Sequence, residues 1–416
     1  MRFFIFDFLY FFYYNIYKEG KGENMELTRK QAEGLLISID RYKAGKKYTV
    51  ISGYAGSGKS TLVRFIINAL DVDENKVCYC AFTGKAAEVL RKKGNKNVCT
   101  LHKLLYESIP KPTGGFFRKP KPRIDYTIIV VDEISMAPKT LMDLLFKHQV
   151  YVICLGDPFQ LPPIDKEEDN HLLDHPHIFL DEIMRQAQES EIIRLTMKIR
   201  NQESIDYYSG DEVKIFPKKE LVTGHLLWAD TILCATNATR HNINKQMRQI
   251  LGYEGDLQSG EKLLIKRNYW SDLNEDGDSL VNGTIGVVQN PFNSFIQIPH
   301  YIKNDRHNIP TVMADFIPEY GKSFGLINFD KDFLLKEQPC FDWKVSYQLG
   351  KIQRKIGDII PRQAAYGYAL TAHAAQGSQW SKVLVLEENF PFNKEEHARW
   401  LYTACTRPEK QLVIIR

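Results

Sequence analysis

Gly53-Tyr54-Ala55-Gly56-Ser57-Gly58-Lys59-Ser60-Thr61 is the stretch whose reading decides the fold. The β-branched and apolar run before it, Tyr48 to Ile51, predicts a strand, and TLVRFIINAL after it carries Leu62, Phe65, Ile66 and Ala69 at helical spacing. Strand, glycine-rich turn and helix together make a phosphate-binding loop. Gly53, Gly56 and Gly58 permit the tight wrap that aims successive N–H groups at an anion and delivers it to a helix N-terminus. Lys59 neutralises the outer phosphates and the Ser60 hydroxyl is placed to ligate Mg²⁺. The expected ATP-binding residues of the loop are therefore Gly53, Ala55, Gly56, Ser57, Gly58, Lys59, Ser60 and Thr61.

A chain of 416 residues is more than one compact core usually holds, so two or more domains are expected. Apolar content of 44% and charged content of 25% place it among soluble globular proteins, and a net charge of +4 permits a nucleic-acid partner without demanding one. Seven cysteines with no CxxC pair predict reduced thiols in a cytoplasmic setting, with Cys78 and Cys80 read as strand packing. Residues 1–24 are dense in aromatics but interrupted by Asp7 and Asn15, too short to span a bilayer and without a small-residue cleavage site. Lys21-Gly22-Glu23-Asn24 can be encoded by a ribosome-binding-site sequence, so translation is expected to start at Met25, in a bacterium or its phage.

From Met25, Leu27, Ala32, Leu35, Leu36 and Ile39 share one helical face with Thr28 as N-cap, and Gln31 can offer adenine both a donor and an acceptor. A strand ending at Phe82 leads into Thr83, Gly84 and Lys85, whose hydroxyl and N–H groups suit a second phosphate such as one in a nucleic-acid backbone, or form a plain β-to-α turn. Thr100 and His102 stand at another turn with the same two readings. Around residues 105–124, Gly114-Gly115 turns a hairpin with Phe116 and Phe117 at its tip and Arg118, Lys119, Lys121 and Arg123 behind, a pattern for base stacking or for a solvated loop. YTIIVVDEISM predicts a buried parallel strand delivering Asp132, to hold Mg²⁺ through water, and Glu133, to deprotonate the attacking water; the same pair could instead begin a helix. YVICLGD then runs into a proline-held Gln160, placed to sense the terminal phosphate.

Parts of this kind in this order resemble the superfamily 1 DNA helicases, most closely the RecD-like branch that includes the phage Dda helicase. Gln31, GYAGSGKS, FTGKAA, TLH, VVDEIS, GDPFQLPP, LDEIMRQAQES, CATNATRHNIN, LVNGTIGVV, ALTAHAAQGSQW and LYTACTR carry the resemblance, from Met25 to Arg416. It implies that Arg185 and Arg407 reach the γ-phosphate, Arg407 from across the cleft, where rigid guanidinium forks suit phosphate oxygens. Arg200 and Arg240 are weaker candidates. It further implies DNA contacts from Thr83, Gly84, Lys85, Thr100, His102, Phe116, Phe117, Asn237, Thr371 and His373, with Gln376 and Gly377 at the nucleotide cleft. Two departures stand out: Ala374 and Ala375 occupy the place of a Lys or Arg after His373, and Pro408 follows Arg407.

Short alternating strands between 261 and 350 read as a small β-barrel, which the resemblance implies is an SH3-like insertion that can touch the hairpin. The expected fold class is α/β, with two RecA-like parallel-sheet P-loop NTPase domains, a small β-hairpin insertion and an SH3-like β-barrel insertion. The expected boundaries are a first domain over 25–200, a second over 201–260 plus 351–416, and the barrel between. The resemblance implies an ATP- and Mg²⁺-dependent monomer moving 5′ to 3′ on single-stranded DNA toward a duplex fork, alongside replication or recombination proteins and no membrane. Two other readings stay open: a DNA-stimulated ATPase that remodels protein–DNA complexes, and a small-substrate kinase, against which residues 230–416 argue.

Overall fold

Strand β1 (Tyr48–Gly53) is buried from its second residue onward and ends in the glycine-rich loop, and the computed structural model builds a six-stranded parallel sheet around it. The structure describes residues 27–110, 116–162, 169–298, 300, 307–341, 345, 348, 360–391 and 393–416, without the side chains of Ser108, Pro110, Phe116, Phe117, Arg185, Gln186 and Trp270. The leader expected over 1–24 lies outside the described residues.

The chain continues through β2 (Val77–Ala81), β3 (Val98–Thr100), β4 (Tyr106–Pro110), β5 (Phe116–Pro120), β6 (Ile128–Val131), β7 (Tyr151–Gly156) and β8 (Ile178–Leu180). The first sheet has the order β3-β2-β6-β7-β1-β8. β6 and β7 are buried at every residue, which is why they are written as near-continuous apolar runs. Because β1, β7 and β6 are neighbours, the loops at their carboxyl ends converge: the glycine-rich turn, Asp157 to Gln160, and Asp132-Glu133. The ends of β2 and β3 lie farther along the same edge. β4 and β5 pair from Tyr106↔Pro120 to Pro110↔Phe116, so Phe116 and Phe117 open the returning strand, while the tip at 111–115 lies outside the described residues.

The second sheet follows the order β19-β11-β20-β21-β10-β9, built from β9 (Tyr208–Ser209), β10 (Val213–Phe216), β11 (Thr231–Cys234), β19 (Ala369–Thr371), β20 (Trp380–Leu386) and β21 (Pro408–Ile415). All its pairings are parallel except that of the edge strand β9. Helix Glu191–Arg200 lies just ahead of the expected domain boundary at 200. Its Ile192, Leu195 and Ile199 form one apolar stripe packed with Val213, Ile215, Leu412 and Ile414, so the helix belongs to the second sheet's core.

Between the halves of the second sheet lies a five-stranded antiparallel sheet, β17-β16-β15-β12-β18. Its strands are β12 (Lys262–Ile265), β15 (Ile285–Gln297), β16 (Asn308–Pro318), β17 (Leu326–Asp330) and β18 (Ala364–Tyr366), with a small ladder of β13 (Tyr269–Leu273) and β14 (Ser279–Leu280) beside it. Its edges meet at a bridge between Phe329 and Arg362, where Asp330 N donates to Arg362 O at 2.9 Å and Arg362 N to Asn328 O at 2.7 Å. Beyond the expected boundary at 350, the fully buried Ala364 and Ala365 pair with β12. Arg118 Nη2, on β5, donates to Ser279 Oγ, on β14, at 3.3 Å. No helix among the described residues is long and apolar enough to cross a membrane.

Candidate nucleotide cleft and nucleic-acid groove

Helix Lys59–Ala69 begins without a side-chain cap, because its N-cap is Gly58 in a left-handed conformation at φ +78°. The first-turn N–H groups are therefore left for an anion. A Cβ at Gly58 would fall 2.5 Å from Met184 Sδ, so only glycine fits there. Lys59 Nζ is folded back on the loop, donating to Gly53 O at 2.6 Å and Tyr54 O at 3.0 Å. Ser60 is exposed on the first turn, Ala55, Gly56 and Thr61 are half-buried, and the buried Ser57 hydroxyl has no partner among the described residues. These features fit a nucleotide's phosphates.

At the end of β6, Glu133 adopts φ +53° and its N–H donates to Asp132 Oδ1 at 2.9 Å. Arg407 reaches it from the other sheet, with Nη1 3.6 Å from Glu133 Oε1. Gln160, in the amide orientation its neighbours dictate, donates to Glu133 Oε2 at 3.0 Å and accepts from Arg407 Nη2 at 3.1 Å. Arg407 is only 3% exposed and is aimed by Thr403 O at 3.1 Å, Ser378 O at 3.4 Å and Thr406 Oγ1 at 2.9 Å. Burial holds the Glu133 carboxyl above its ordinary pKa; Arg407 opposes this most strongly and Lys59 also opposes it, while Asp132 and Asp157 reinforce it.

Sequence reasoning named Gln376 and Gly377 at the cleft but missed Asp157, Leu161, Tyr402 and Thr403, which also join the two sheets here. Tyr402 Oη donates to Asp157 Oδ2 at 2.6 Å and accepts from Ala55 N in the glycine-rich loop at 2.9 Å. Leu161 N donates to Thr403 Oγ1 at 2.9 Å, and Gln376 Nε2 donates to Leu161 O at 2.6 Å. Gly377, at φ +70°, lies so close to the first domain that a Cβ would stand 3.2 Å from Thr83 Oγ1. The signal available was the placement of Asp157, Tyr402 and Thr403 inside GDPFQLPP and LYTACTR.

Gln31 and the segment leading into Arg185 both rest on the glycine-rich loop. Gln31 is buried against the loop and its amide is already engaged: Oε1 accepts from Thr28 N at 2.9 Å in a capping box, and Nε2 donates to Ser57 O at 3.3 Å. In this conformation it offers adenine neither end, because the cap it completes holds it inward. The Arg185 side chain lies outside what is described; its backbone opens helix Arg185–Gln188 just after Met184, whose N–H donates to Gly56 O at 3.0 Å. Of the weaker candidates, Arg200 stacks 3.7 Å from the Tyr54 ring centroid, and Arg240 is buried in an ion pair with Glu337.

Thr83, Gly84, Lys85, Thr100 and His102 line one cavity of about 300 Å³, together with Arg91, Lys103, Arg118 and Lys121. Asn274, Ser279, Glu319 and Tyr320 form its far wall. The hydroxyls of Thr83 and Thr100 cap their helices by accepting from Ala86 N at 3.1 Å and Lys103 N at 3.2 Å. His102 is pushed down to about 4 by burial and then by Arg118, so it is neutral at pH 7. Lys85 Nζ is paired with Glu319 Oε2 at 2.8 Å and lies 3.5 Å from the Trp380 ring centroid. Burial pulls its pKa down to about 8 against the pull of Glu319. Asn237, Thr371 and His373 do not line this cavity. Asn237 is exposed at the start of helix Asn237–Ile250, Thr371 Oγ1 accepts from Ala374 N at 3.4 Å, and burial lowers the pKa of His373.

Residues 31–215 match the AAA domain family, and residues 366–415 match the UvrD-like helicase C-terminal domain. The chain is 33% identical over 400 residues to the ATP-dependent RecD2 DNA helicase of Deinococcus radiodurans, covering 94% of this chain and 50% of that one. It is 29% identical over 155 residues to the ATP-dependent DNA helicase dda of Enterobacteria phage T4, covering 35% of this chain and 34% of that one. This chain thus spans half or less of both proteins. A crystal structure of Pif1 helicase from Bacteroides in complex with ADP-AlF3 and ssDNA aligns at 17% identity and a TM-score of 0.48, over 94% of this chain and 92% of that one. With a phosphate loop on one parallel sheet, an arginine held against Glu133 from the second, and matches to both parts, the chain is similar to the superfamily 1 helicases of the RecD/Dda type.

Proposed function

We propose that the chain is an ATP-dependent DNA helicase that moves 5′ to 3′ on single-stranded DNA and couples hydrolysis to the opening of a duplex fork. The observation that carries this reading is that Arg407, which immediately precedes β21 of the second sheet, stands 3.6 Å from Glu133 just past the end of β6 in the sheet that carries the glycine-rich loop. The RecD2 and dda relatives, named as DNA helicases, favour DNA over a small-molecule acceptor.

In this reading Ser60 and Asp132 hold Mg²⁺, which when bound neutralises charge on phosphate oxygens. Lys59 leaves the loop carbonyls for the outer phosphates, and Glu133 accepts the proton of the attacking water. Arg407 and Gln160 exchange their contact with Glu133 for the terminal phosphate, joined by Arg185. When phosphate departs they return, so the distance between the sheets follows the chemistry. The turns after β2 and β3 hold the strand on one side and Asn237, Thr371 and His373 on the other, so each cycle shifts one grip past the other. The curled antiparallel sheet serves as an SH3-like insertion backing the hairpin, whose Phe116 and Phe117 form the wedge. The working unit is a cytoplasmic monomer that meets replication or recombination proteins at forks.

Strand displacement on 5′-tailed and 3′-tailed duplexes tests the reading. Opening of the 5′-tailed substrate alone, with ATP, is expected. DNA-stimulated ATP turnover with neither duplex opened would replace the motor by a remodelling ATPase.

A further inference from the structure

Cys78, Cys80 and Cys99 bring their three sulfurs to one point. The Sγ atoms of Cys78 and Cys80 are 3.6 Å apart, those of Cys78 and Cys99 3.6 Å, and those of Cys80 and Cys99 3.7 Å. Sheet geometry explains the convergence: Cys78 and Cys80 are two residues apart on β2 and share a face, and Cys99 is the register partner of Cys80 on β3. Among the described residues the other four cysteines join no such group.

We propose that these three thiols bind one thiophilic d¹⁰ cation, Zn²⁺, with solvent in the fourth position. An ideal tetrahedron with metal–sulfur bonds of about 2.3 Å has sulfur–sulfur edges of about 3.8 Å, within roughly 0.2 Å of the spacing present before any ion enters. Thiolates select such ions over hard cations. Cys78 and Cys80 are buried while Cys99 is half-exposed, which leaves an entry path and room for the solvent ligand. Burial holds the Cys80 thiol well above its ordinary range and the Cys78 thiol is raised too, so the cation itself must draw off their protons. Binding converts three thiols to thiolates and releases their protons to solvent. The ion would tie β2, which leads to Thr83, to β3, which ends at Thr100 and is followed by His102, and these three residues line the basic cavity.

The test is metal binding by the full chain under reducing conditions, read independently of any ATPase or helicase activity. The chelated protein is titrated with Co²⁺ and then with Zn²⁺. One equivalent of Co²⁺ with thiolate charge-transfer absorption and tetrahedral d–d bands is expected, displaced by one equivalent of Zn²⁺, with three of the seven cysteines protected from alkylation. C99S should lose the charge-transfer band and C154S should keep it. Substoichiometric uptake by the wild-type chain, an octahedral Co²⁺ spectrum, or a band that survives C99S would overturn the site. So would a disulfide within the cluster that persists after reductant treatment.

Discussion

Arg407 Nη1 stands 3.6 Å from Glu133 Oε1, and the two side chains reach that spacing from different parallel sheets. The guanidinium also faces the Gln160 amide, so one planar fork contacts two groups of the first domain. Removing it should abolish the charge that crosses the cleft while leaving the phosphate loop intact. Arg407→Ala is expected to slow DNA-stimulated phosphate release by ~10³-fold, the lower end for an arginine finger. Arg407→Lys should recover little, because an ammonium cannot span both partners. Lys59→Ala should abolish turnover and leave single-strand binding measurable; a turnover rate near wild type in either alanine variant would remove the cleft assignment.

Burial raises the Glu133 carboxyl above the ordinary range, which fixes the sign of two pH effects. A protonated Glu133 cannot accept a proton from water, so turnover should decline with falling pH from a higher pH than an ordinary glutamate would set. Glu133→Gln should lose that acid limb and hydrolyse ATP at least ~100-fold more slowly. Stability runs the other way. With the folded pKa raised, the group's stabilising contribution is complete below the unfolded value of about 4.3 and is lost as pH rises through the folded value. A kcat profile with the same acid limb in wild type and Glu133→Gln would assign the proton acceptor elsewhere.

The strands that hold the cleft were legible because burial on both faces writes β6 and β7 as IIVV and YVICLG, and their carboxyl ends carry the residues that converge. The glycine-rich loop was legible for the same reason: only certain residues fit its backbone. Pairings between distant segments were not. Tyr402 and Asp157 are 245 residues apart, and Lys85 and Glu319 are 234 apart, and no periodicity couples them. The apolar stripe of helix Glu191–Arg200 announces a buried face without saying which sheet covers it, and a three-residue strand such as β18 is too short to show alternation. Lys85 reads from sequence as a free cation at a turn, yet its partners come from two other sheets, Glu319 from the antiparallel one and Trp380 from the second.

Tyr402 joins helix Lys394–Cys405 to the glycine-rich loop through one hydroxyl, which bonds both Asp157 and Ala55 N. Tyr402→Phe keeps the ring packed edge-on to Phe159, with ring centroids 5.1 Å apart, and removes only the polar bridge. The buried Asp157 Oδ2 then loses a donor, and a cost of about 1–3 kcal/mol is expected in denaturant melts. Because the bridge ends on the loop itself, KM for ATP should rise as well. Unchanged stability and KM together would mean that the bridge is replaced by solvent at no cost.

Phe116 and Phe117 open β5, in register with Pro110 and Ile109 beside the hairpin tip. Changing both to Ala should reduce strand displacement several-fold more than DNA-stimulated ATPase if the hairpin splits the duplex, because translocation does not need the wedge. Equal losses in both assays would make the hairpin part of the track instead.

Glu319 decides whether Lys85 is a strut or a contact for the strand. Its Oε2 lies 2.8 Å from Lys85 Nζ and its Oε1 3.1 Å from Lys262 Nζ, at the wall of the cavity that Lys85 also lines. A DNA phosphate entering that cavity competes with this carboxylate for the same ammonium. Glu319→Gln removes the competing charge while keeping the shape, so single-strand affinity should rise. The slope of log K against log salt should steepen by about 0.7, the increment for one further phosphate contact on a single strand. The double variant Glu319→Gln/Lys85→Ala should return the slope to its wild-type value, since the gained cation is gone. Fluorescence anisotropy of a labelled oligonucleotide across a salt series measures both. If Glu319→Gln leaves the slope unchanged and only lowers Tm, Lys85 is a strut between the units, and the phosphate grip belongs to Arg91, Lys103, Arg118 and Lys121.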